Sequence, residues 1–320
     1  MAVYTKITDI ELQAFLSQYS IGDLKSFSGI AEGVENSNFL VETTQGPFIL
    51  TLYEKRVDPA DLPFFLGLLT HLSEHGFSCP IPVISRNGSI LNQLNNRPAA
   101  IVTFLNGVSP RFTTSLHCQA LGTAMAKMHS AGKKFSLNRE NALSIRQWRP
   151  LLESCDLLNK PIYINLYNEL NEELNWLEKN WPKNLPKGMI HADLFPDNVF
   201  FLDNDLSGVI DFYFACTDFL SYDLAICINA WCFEVDETFN LDKAKMMVTA
   251  YQTARPLSSD EINCFPVLVR GSATRFLLTR LFDWLNHQEG ALVEPKDPMS
   301  YLKKLHFHQN IKGPETYGLV

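Results

Sequence analysis

The residues with the clearest capacity for chemistry lie between Gly188 and Phe212, in the stretch GMIHADLFPDNVFFLDNDLSGVIDF. Two short apolar runs flank an acidic turn, which predicts a strand, a turn and a second strand. That reversal would bring Asn198 close to Asp211, with Asp193 nearby. Carboxylate and amide oxygens are ligands that Mg²⁺ accepts, and a carboxylate can take the proton of an attacking hydroxyl. The spacing predicts phosphoryl transfer, with Asp193 as base and Asn198 and Asp211 as metal ligands.

The same stretch fits the pattern H-x-D-x-x-x-x-N, which forms the catalytic loop of protein kinases. It reads HADLFPDN here, and the later metal-binding segment reads IDFYF in place of DFG. His191 would brace the loop. Asp and Asn at strand ends are also ordinary turn formers, so a structural role explains each residue taken alone. Asp203 and Asp205 are interpreted in that way, and Asp197 fits either role.

Composition and charge exclude several classes of protein. The chain has 320 residues, a net charge of −8 and 46% hydrophobic residues, which indicates a globular protein with no basic stripe for nucleic acid. The first residues lack the apolar core of a leader peptide, and no apolar run is long enough to span a membrane. The seven cysteines are scattered without C-x-x-C spacing, which is typical of buried thiols in a reducing compartment. We therefore expect a cytoplasmic protein; its oligomeric state is not predicted.

The first third of the chain predicts an antiparallel sheet with packed helices. ITDIELQAFLSQYS has a helical apolar stripe, and Thr8 and Glu11 have the spacing of a capping box. NFLVET and PFILTLY are β-rich runs joined by the turn TQGP, which predicts a hairpin. LPFFLGLLTHLSEHG predicts a helix ending at Gly76, and AAIVTFL predicts another strand.

After the segment NGVSP the pattern becomes mainly helical. Apolar residues recur at helical spacing in TSLHCQALGTAMAKMHSAG, DLAICINAWCF and LDKAKMMVTAYQTA, and in a long segment that begins with a second capping box at Ser258 and Glu261. The predicted fold class is α+β: a small β-rich N-terminal lobe over 1–104 and a larger, mainly helical lobe over 105–320.

Four of these segments, LGTAMAKMHSAG, GMIHADLFPDNVFF, GVIDF and SYDLA, resemble blocks of the aminoglycoside phosphotransferase/choline kinase family and follow its order. This likeness to the small-molecule relatives of protein kinases covers nearly the whole chain. Within the family, GVENSNFLVET, RPLSSDE, RGSATRFLLTRLFDWL and KDPMSYLKKLHFH are most similar to the homoserine kinases. The resemblance implies a two-lobed protein-kinase-like fold, ATP and Mg²⁺ as cofactors, and phosphorylation of the hydroxyl of L-homoserine in threonine biosynthesis.

The resemblance also implies where ATP binds. SGIAEGVENSNF would cover the phosphates, and the end of the strand IVTFL would offer backbone groups to adenine. The residues so assigned are Gly33, Asn36, Ser37, Thr103, Phe104 and Leu105. One departure concerns the basic residue that kinases place on a strand of the first lobe, because Thr51 occupies that position. Lys55 or Arg56 would take over the phosphate contact, or both are solvated charges at a strand end.

A homoserine site needs a cation for the substrate carboxylate, and Arg suits that purpose. Arg275 and Arg280 interrupt an apolar helix that also carries Arg270, and we assign the carboxylate to Arg275 first and Arg280 second. The alternative is a buried ion pair with an acidic residue, for which the candidates are Asp283, Glu234 and Asp218. Three further residues are assigned to the acceptor pocket, namely Asp223, Asn229 and Trp231. Asp223 would equally stabilise the catalytic loop, and the other two would equally be core.

Two other functions stay open at this level. A sibling kinase would phosphorylate choline, ethanolamine or an aminoglycoside, but those cations call for aromatic or acidic pockets, whereas three arginines favour an acceptor with a carboxylate. A pseudokinase used as a binding module would retain the fold and lose chemistry. The joint presence of Asp193, Asn198 and Asp211 favours an enzyme, and the missing strand lysine keeps the alternative.

Overall fold

The computed structural model describes residues 5–30, 36–54, 57–287 and 295–319. They form two compact units. The first, here called the sheet unit, extends to Gly107 and also includes Ser207–Tyr213. The second, the helical unit, comprises Val108–Leu206 and the chain from Phe214 onward.

The sheet unit is built on five antiparallel strands in the order β1-β2-β3-β5-β4. The strands are β1 (Leu24–Gly29), β2 (Ser37–Thr43), β3 (Gly46–Leu52), β4 (Asn92–Leu94) and β5 (Arg97–Thr103). The helices of this unit are α1 (Asp9–Leu16) and α2 (Leu62–Glu74). Both helices, the β2–β3 hairpin and β5 confirm the predicted elements. β1 and β4 were not predicted, because LKSFSG and NQL carry too few apolar residues to stand out from loops.

Local sequence explains how α1 begins and what it covers. The Thr8 side chain accepts from the Glu11 backbone N–H at 3.3 Å, and the Glu11 carboxylate accepts from the Thr8 N–H at 2.7 Å. This confirms the predicted capping box, which satisfies N–H groups that a helix start leaves open. Leu12 and Phe15 then pack into one core with strand residues such as Leu50.

The helical unit contains seven of the described α-helices and short strand pairs. The helices are α3 (Ser115–Gly132), α4 (Ile145–Ser154), α5 (Ile164–Asn180), α6 (Leu220–Trp231), α7 (Leu241–Ala254), α8 (Ser259–Leu285) and α9 (Met299–Gln309). The strands are β6 (Lys187–Ile190), β7 (Val199–Leu202), β8 (Asp205–Val209), whose end passes into the sheet unit, and β9 (Cys216–Phe219).

The hairpin predicted around DNDLSG is present as β7–β8. Asp203 lies in its turn with φ +56°, a conformation that Asp tolerates better than most residues. Asp205 is the first residue of β8 rather than a turn residue. The antiparallel pair β6–β9 was missed, since β9 is only four residues long and its partner lies far away in sequence.

The long helix α8 carries the predicted arginines through the interior of the helical unit. Its start is fixed by the second predicted capping box, in which Ser258 and Glu261 cap each other. Gly271 is needed where α8 meets two indoles, because a Cβ there would lie 2.2 Å from a ring carbon of Trp181. Most of the central turns are buried, so the charges they carry must find partners inside the protein.

Among the described residues, no helix combines the length and the apolar character needed to cross a membrane. All seven cysteines are free thiols, and six of them are buried. The antiparallel sheet and the helical second unit confirm the predicted α+β fold class.

Candidate active site

The loop that carries Asp193 follows directly from β6 and is held in a strained conformation. Ala192 has φ +64°, which costs a residue with a Cβ on the order of 1–3 kcal/mol. The backbone N–H of His191 donates to Oδ2 of Asp223 at 2.9 Å, and that of Ala192 donates to Oδ1 at 2.9 Å. One carboxylate thus holds two successive amides. These hydrogen bonds compensate the strain and fix the orientation of the backbone that leads from β6 to Asp193.

Asp223 is a fully buried bracing residue. Its Oδ2 also accepts from His129 Nε2 at 3.0 Å, and His129 Nδ1 is hydrogen-bonded to the hydroxyl of Tyr251 at 2.8 Å. Burial acts to raise the pKa of Asp223, but the bonds and charges of His129 and His191 outweigh it, so the pKa lies below the usual value. The structure places Asp223 in the bracing role foreseen for it as one alternative, with both oxygens engaged inside the unit.

Asp193 itself is held more loosely. Its side chain is 21% exposed. The amide of Asn198 donates to its backbone oxygen at 2.8 Å and to Oδ2 at 3.3 Å. Burial raises the pKa of this carboxyl, although the charges of Arg275 and His191 act to lower it. A carboxylate with a raised pKa is a stronger base, which is the property a proton acceptor needs.

Arg275 lies next to Asp193 in the interior of the helical unit. Only 4% of the residue is exposed, and its Nη1 is 3.9 Å from Oδ1 of Asp193. The guanidinium is stacked over the ring of Phe276 at 3.8 Å. Among the described residues Nη1 has no hydrogen-bond partner, so a buried N–H group beside the base remains available to an anion.

Two of the three acidic residues considered for Arg275 have other partners. Glu234 forms an ion pair with Lys243 at 2.7 Å, and Asp218 accepts from Asn141 at 2.7 Å. Arg270 forms an ion pair with Glu173, and its guanidinium lies 3.8 Å from the ring centre of Trp176. Arg275 is therefore the arginine of α8 that contacts the predicted base, whereas the guanidinium of Arg270 forms an ion pair with Glu173.

Arg280 is close to the same region but is already bonded. Its Nη1 donates to the hydroxyl of Ser300 at 3.0 Å, and its guanidinium lies 4.4 Å from the ring centre of Tyr301 and 6.0 Å from that of Phe195. An acceptor that binds Nη1 would have to compete with Ser300. The geometry therefore ranks Arg280 behind Arg275, in the order that the sequence predicted.

Two residues of α9 that the sequence did not single out lie near the predicted acceptor residues. Tyr301 is fully buried, and its hydroxyl has no partner among the described residues. Burial raises its pKa, and the nearby charges of Arg280 and Arg275 oppose that rise. Lys304 donates to the backbone oxygen of Asn229 at 2.9 Å, and burial lowers its pKa to about 8. The only sequence signal was their position in KDPMSYLKKLHFH, because helical periodicity does not tell a core tyrosine from one facing a ligand.

The remaining predicted acceptor residues serve the interior of the helical unit. Asn229 donates to the backbone oxygen of Val269 at 2.9 Å, and its Oδ1 is hydrogen-bonded to His308 Nε2 at 2.9 Å. The indole N–H of Trp231 donates to the backbone oxygen of Leu194 at 2.7 Å. Trp231 therefore supports the residue after Asp193, and the polar groups of both side chains are used within the unit.

The predicted metal ligands are oxygen donors of the right kind. Asn198 is buried, and its Nδ2 is engaged by Asp193, so Oδ1 is the atom left to act as a ligand. Asp211 lies in the sheet unit with φ +62°, an uncommon conformation for a residue with a Cβ. An amide oxygen and a carboxylate suit Mg²⁺, which takes few protein ligands and completes its shell with water and phosphate.

The predicted nucleotide residues that the structure describes belong to the sheet unit. Asn36 Oδ1 accepts from the Glu54 N–H at 3.3 Å, and the Ser37 hydroxyl donates to the Glu54 carboxylate at 2.8 Å. Thr51 occupies the position where kinases carry a basic side chain. It is buried, and its hydroxyl donates to Asn38 Oδ1 at 2.8 Å. The sheet interior at that position is thus uncharged and hydrogen-bonded. Gly33, Lys55 and Arg56 lie outside the described residues.

The segment assigned to adenine follows β5. The hydroxyl of Thr103 accepts from the N–H of Ile81 at 3.0 Å, and Phe104 is 37% exposed. Leu105 packs so closely on Gly208 that a Cβ there would lie 2.6 Å from a methyl carbon. The segment is anchored at both ends, while one aromatic side chain between them remains accessible.

A strained, braced loop that presents a carboxylate, with a buried arginine beside it and an antiparallel sheet unit earlier in the chain, is the arrangement expected of a kinase-like phosphotransferase. The profile of the phosphotransferase enzyme family matches residues 26–257. The solved structure of an amicoumacin kinase superposes with a TM-score of 0.70 over 97% of this chain and 93% of that chain, at 14% identity. At that identity the superposition supports the fold alone.

Sequence relatives narrow the assignment. The chain is 58% identical over 320 residues to the homoserine kinase of Xanthobacter autotrophicus, with 100% of both chains covered. It is 57% identical over 319 residues to the homoserine kinase of Rhodospirillum rubrum, covering 100% of this chain and 99% of the relative. The chain belongs to the phosphotransferase enzyme family and, within it, to the group of the homoserine kinases.

Proposed function

We propose that this protein transfers the γ-phosphoryl group of ATP to the hydroxyl of L-homoserine, giving O-phospho-L-homoserine and ADP. The observation that carries the proposal is the buried, incompletely bonded guanidinium of Arg275 beside the carboxylate of Asp193. The full-length likeness to homoserine kinases supports the same acceptor. The buried free thiols fit a reducing compartment, so the proposal includes a cytoplasmic location.

Asp193 acts as the base in this reaction. The homoserine hydroxyl loses its proton to the carboxylate while its oxygen forms a bond to the γ-phosphorus. The bond between that phosphorus and the oxygen bridging the β- and γ-phosphates breaks, which releases ADP. The raised pKa of Asp193 strengthens it as a proton acceptor. The brace from Asp223 to the two preceding residues holds the carboxylate in place, which is the positioning on which phosphoryl transfer depends.

Arg275 recognises the acceptor in this mechanism. Homoserine carries a carboxylate, and Nη1 is a buried donor with no other hydrogen-bond partner among the described residues. A charge-assisted hydrogen bond in such an environment contributes on the order of 1.5–3 kcal/mol. Tyr301, whose hydroxyl has no partner in the described part of the chain and lies near Arg275, offers a second polar contact.

Asn198 and Asp211 would hold Mg²⁺ through their side-chain oxygens, together with the phosphates of ATP. The ion neutralises charge that develops on the transferred group. Asn36, Ser37 and the backbone of Thr103 to Leu105 are proposed to surround the nucleotide. Lys55, the proposed contact of the phosphates, lies outside the described residues.

The test is ADP release over a panel of acceptors: L-homoserine, serine, threonine, choline, ethanolamine, an aminoglycoside and 3-aminopropan-1-ol. The last compound is homoserine without its carboxylate, so it is the matched control for the role of Arg275. We expect the highest kcat/KM with homoserine, and at least about tenfold less with 3-aminopropan-1-ol. A preference for any acceptor that lacks a carboxylate would contradict both the substrate and the assignment of Arg275.

A further inference from the structure

A cavity of about 740 Å³ lies in the helical unit, and His129, which is hydrogen-bonded to Asp223, is one of its lining residues. It is lined by the end of α3, by β6 and by the segment between α7 and α8. Its volume is in the range of sites for small molecules. Neither Asp193, Asn198 nor Arg275 lines it, so the proposed reaction leaves this cavity without a role.

The lining combines apolar surface with a surplus of positive charge. Apolar side chains such as Leu137, Met189 and Leu257 form one part of the wall. Lys133, Lys187 and Arg255 contribute cations, and Glu261 is the carboxylate among the lining residues. Both lysines are exposed at the rim, whereas Arg255 is only 8% exposed. A wall of this kind suits a small anion that has an apolar body.

Arg255 is the buried anchor of this wall. Its Nη2 donates to Oε1 of Glu261 at 2.8 Å, and the other oxygen of Glu261 accepts from the N–H of Ser258 at 3.0 Å. Its Nη1 is buried without a partner among the described residues. A guanidinium that leaves a desolvated N–H unbonded is uncommon in proteins and lowers stability, unless a ligand completes it.

Two physical connections run from this cavity to the catalytic loop. The guanidinium of Arg255 lies 5.6 Å from the ring centre of Tyr251, whose hydroxyl bonds to His129, which in turn bonds to Asp223. Separately, Met189 lines the cavity from β6, the strand that leads directly into the loop. Both connections end at the amides of the strained loop.

We propose that this cavity is a binding site for a small organic anion, whose carboxylate or phosphate head contacts Arg255, Lys133 and Lys187 while its apolar body lies against the wall. Occupancy orders the loop before Asp193, because the ligand restrains both Arg255 and β6. The site is independent of the phosphoryl acceptor, and the proposal does not rest on the identity of that acceptor.

Three probes with the same branched apolar body test the binding: isovalerate, isoamyl phosphate and the neutral isovaleramide. Titration calorimetry on the full chain should give a Kd near or below about 1 mM for at least one anion and at least about tenfold weaker binding for the amide. The two anions distinguish a carboxylate from a phosphate preference. Equal binding of the amide, or no binding of either anion, would overturn the proposal.

Variants locate the site and separate it from catalysis. Arg255→Gln should weaken the tighter anion at least about tenfold. The double variant Lys133→Gln, Lys187→Gln changes exposed residues, so it should fold and turn over normally while it also loses affinity. Unchanged affinity in both variants would place the ligand elsewhere.

Hydrogen exchange of the His191 and Ala192 amides reports on the loop. Saturating anion should slow exchange at least about threefold in the wild type and have no effect in the double variant. An exchange rate that does not change when the anion is added to the wild type would refute the connection to the loop.

Discussion

Two aspartates of the helical unit, the partly exposed Asp193 and the fully buried Asp223, differ in the direction in which the protein shifts their pKa. Asp223 receives two backbone amides and a histidine, and its pKa is lowered despite burial. Asp193 receives one weak side-chain hydrogen bond and has a guanidinium 3.9 Å away, and its pKa is raised. The number of donors, more than burial, separates the two.

This difference suits the two carboxylates to different roles, Asp193 as a base and Asp223 as a bracing residue. A carboxylate saturated with donors is a poor base and a good brace, whereas a buried carboxylate with few donors is a good base and a source of instability. The difference also has opposite consequences for stability as pH changes. The ionised form of Asp223 stabilises the fold above the unfolded pKa, and that contribution is lost as pH falls through the folded pKa. For Asp193 the protonated form is favoured in the fold, so its contribution is present at acidic pH and lost as pH rises through the folded pKa.

The largest expected effect comes from Asp193→Asn. Removal of a general base lowers kcat by about 10² to 10⁴-fold. Because the ionised carboxylate is disfavoured in the fold, the variant should be as stable as the wild type at neutral pH, or slightly more stable. Steady-state ADP release and urea unfolding measure both. Asp197→Asn is the matched control, since that side chain is 61% exposed in the same loop and should keep full activity. Turnover close to that of the wild type would exclude Asp193 as the base.

Asp223→Asn should lower stability, in contrast to Asp193→Asn, which should not lower it. The amide group presents N–H donors to amides that also donate, so the variant should lose about 3 kcal/mol of unfolding free energy at neutral pH. The difference from the wild type should shrink as pH falls below about 4, where the unfolded carboxyl also takes up its proton. Urea titrations across that pH range measure the gap. A variant with normal stability and low activity would instead assign Asp223 to the chemistry.

Arg275→Met removes the cation beside the base. We expect kcat/KM for homoserine to fall about 30-fold, and the preference for homoserine over 3-aminopropan-1-ol to disappear. Because Arg275 acts to lower the pKa of Asp193, the acid limb of the kcat/KM profile should move to higher pH. Arg270→Met, on the same helix, should lower stability because the buried Glu173 loses its cation, and it should leave that preference unchanged. If the acid limb of the kcat/KM profile stays at the same pH, Arg275 does not lower the pKa of Asp193.

The smallest effect is expected from Tyr301→Phe. If the unpartnered hydroxyl contacts the acceptor, KM for homoserine should rise about threefold to tenfold without loss of stability. Tyr317→Phe is the matched control, because its buried hydroxyl is bonded to His308 at 2.9 Å. That variant should lose stability and keep its KM. An unchanged KM in Tyr301→Phe would remove this residue from the acceptor site.

The fold was predictable wherever local signals were strong. Capping boxes at Thr8 and Ser258 located two helix starts, and the TQGP turn located the β2–β3 hairpin. The pair β6–β9 was not predictable, because each strand has four residues and their pairing depends on contacts distant in sequence. Short strands carry too little periodicity to identify them without their partners.

The candidate site divides in the same way. The spacing in HADLFPDN predicted the base, and apolar periodicity broken by charge pointed to Arg275. The roles of Asp223, Asn229 and Trp231 depended on which polar groups lie opposite them, so the sequence left each with two possible roles. The sequence also gave no reason to single out Tyr301, since a hydroxyl without a partner is recognised only once its neighbours are known.

The amino-acid sequence by itself determined the fold class and the reaction type and predicted Asp193 as the residue that takes the proton, because local patterns and short motifs encode these features directly. Only the tertiary structure decided which of the buried charges are satisfied. Asp223 receives several donors and Arg270 is paired with Glu173, whereas Arg275 and Arg255 each keep an N–H group that no described residue bonds. Such satisfaction is a property of residues far apart in the chain, and burial makes every missing partner count.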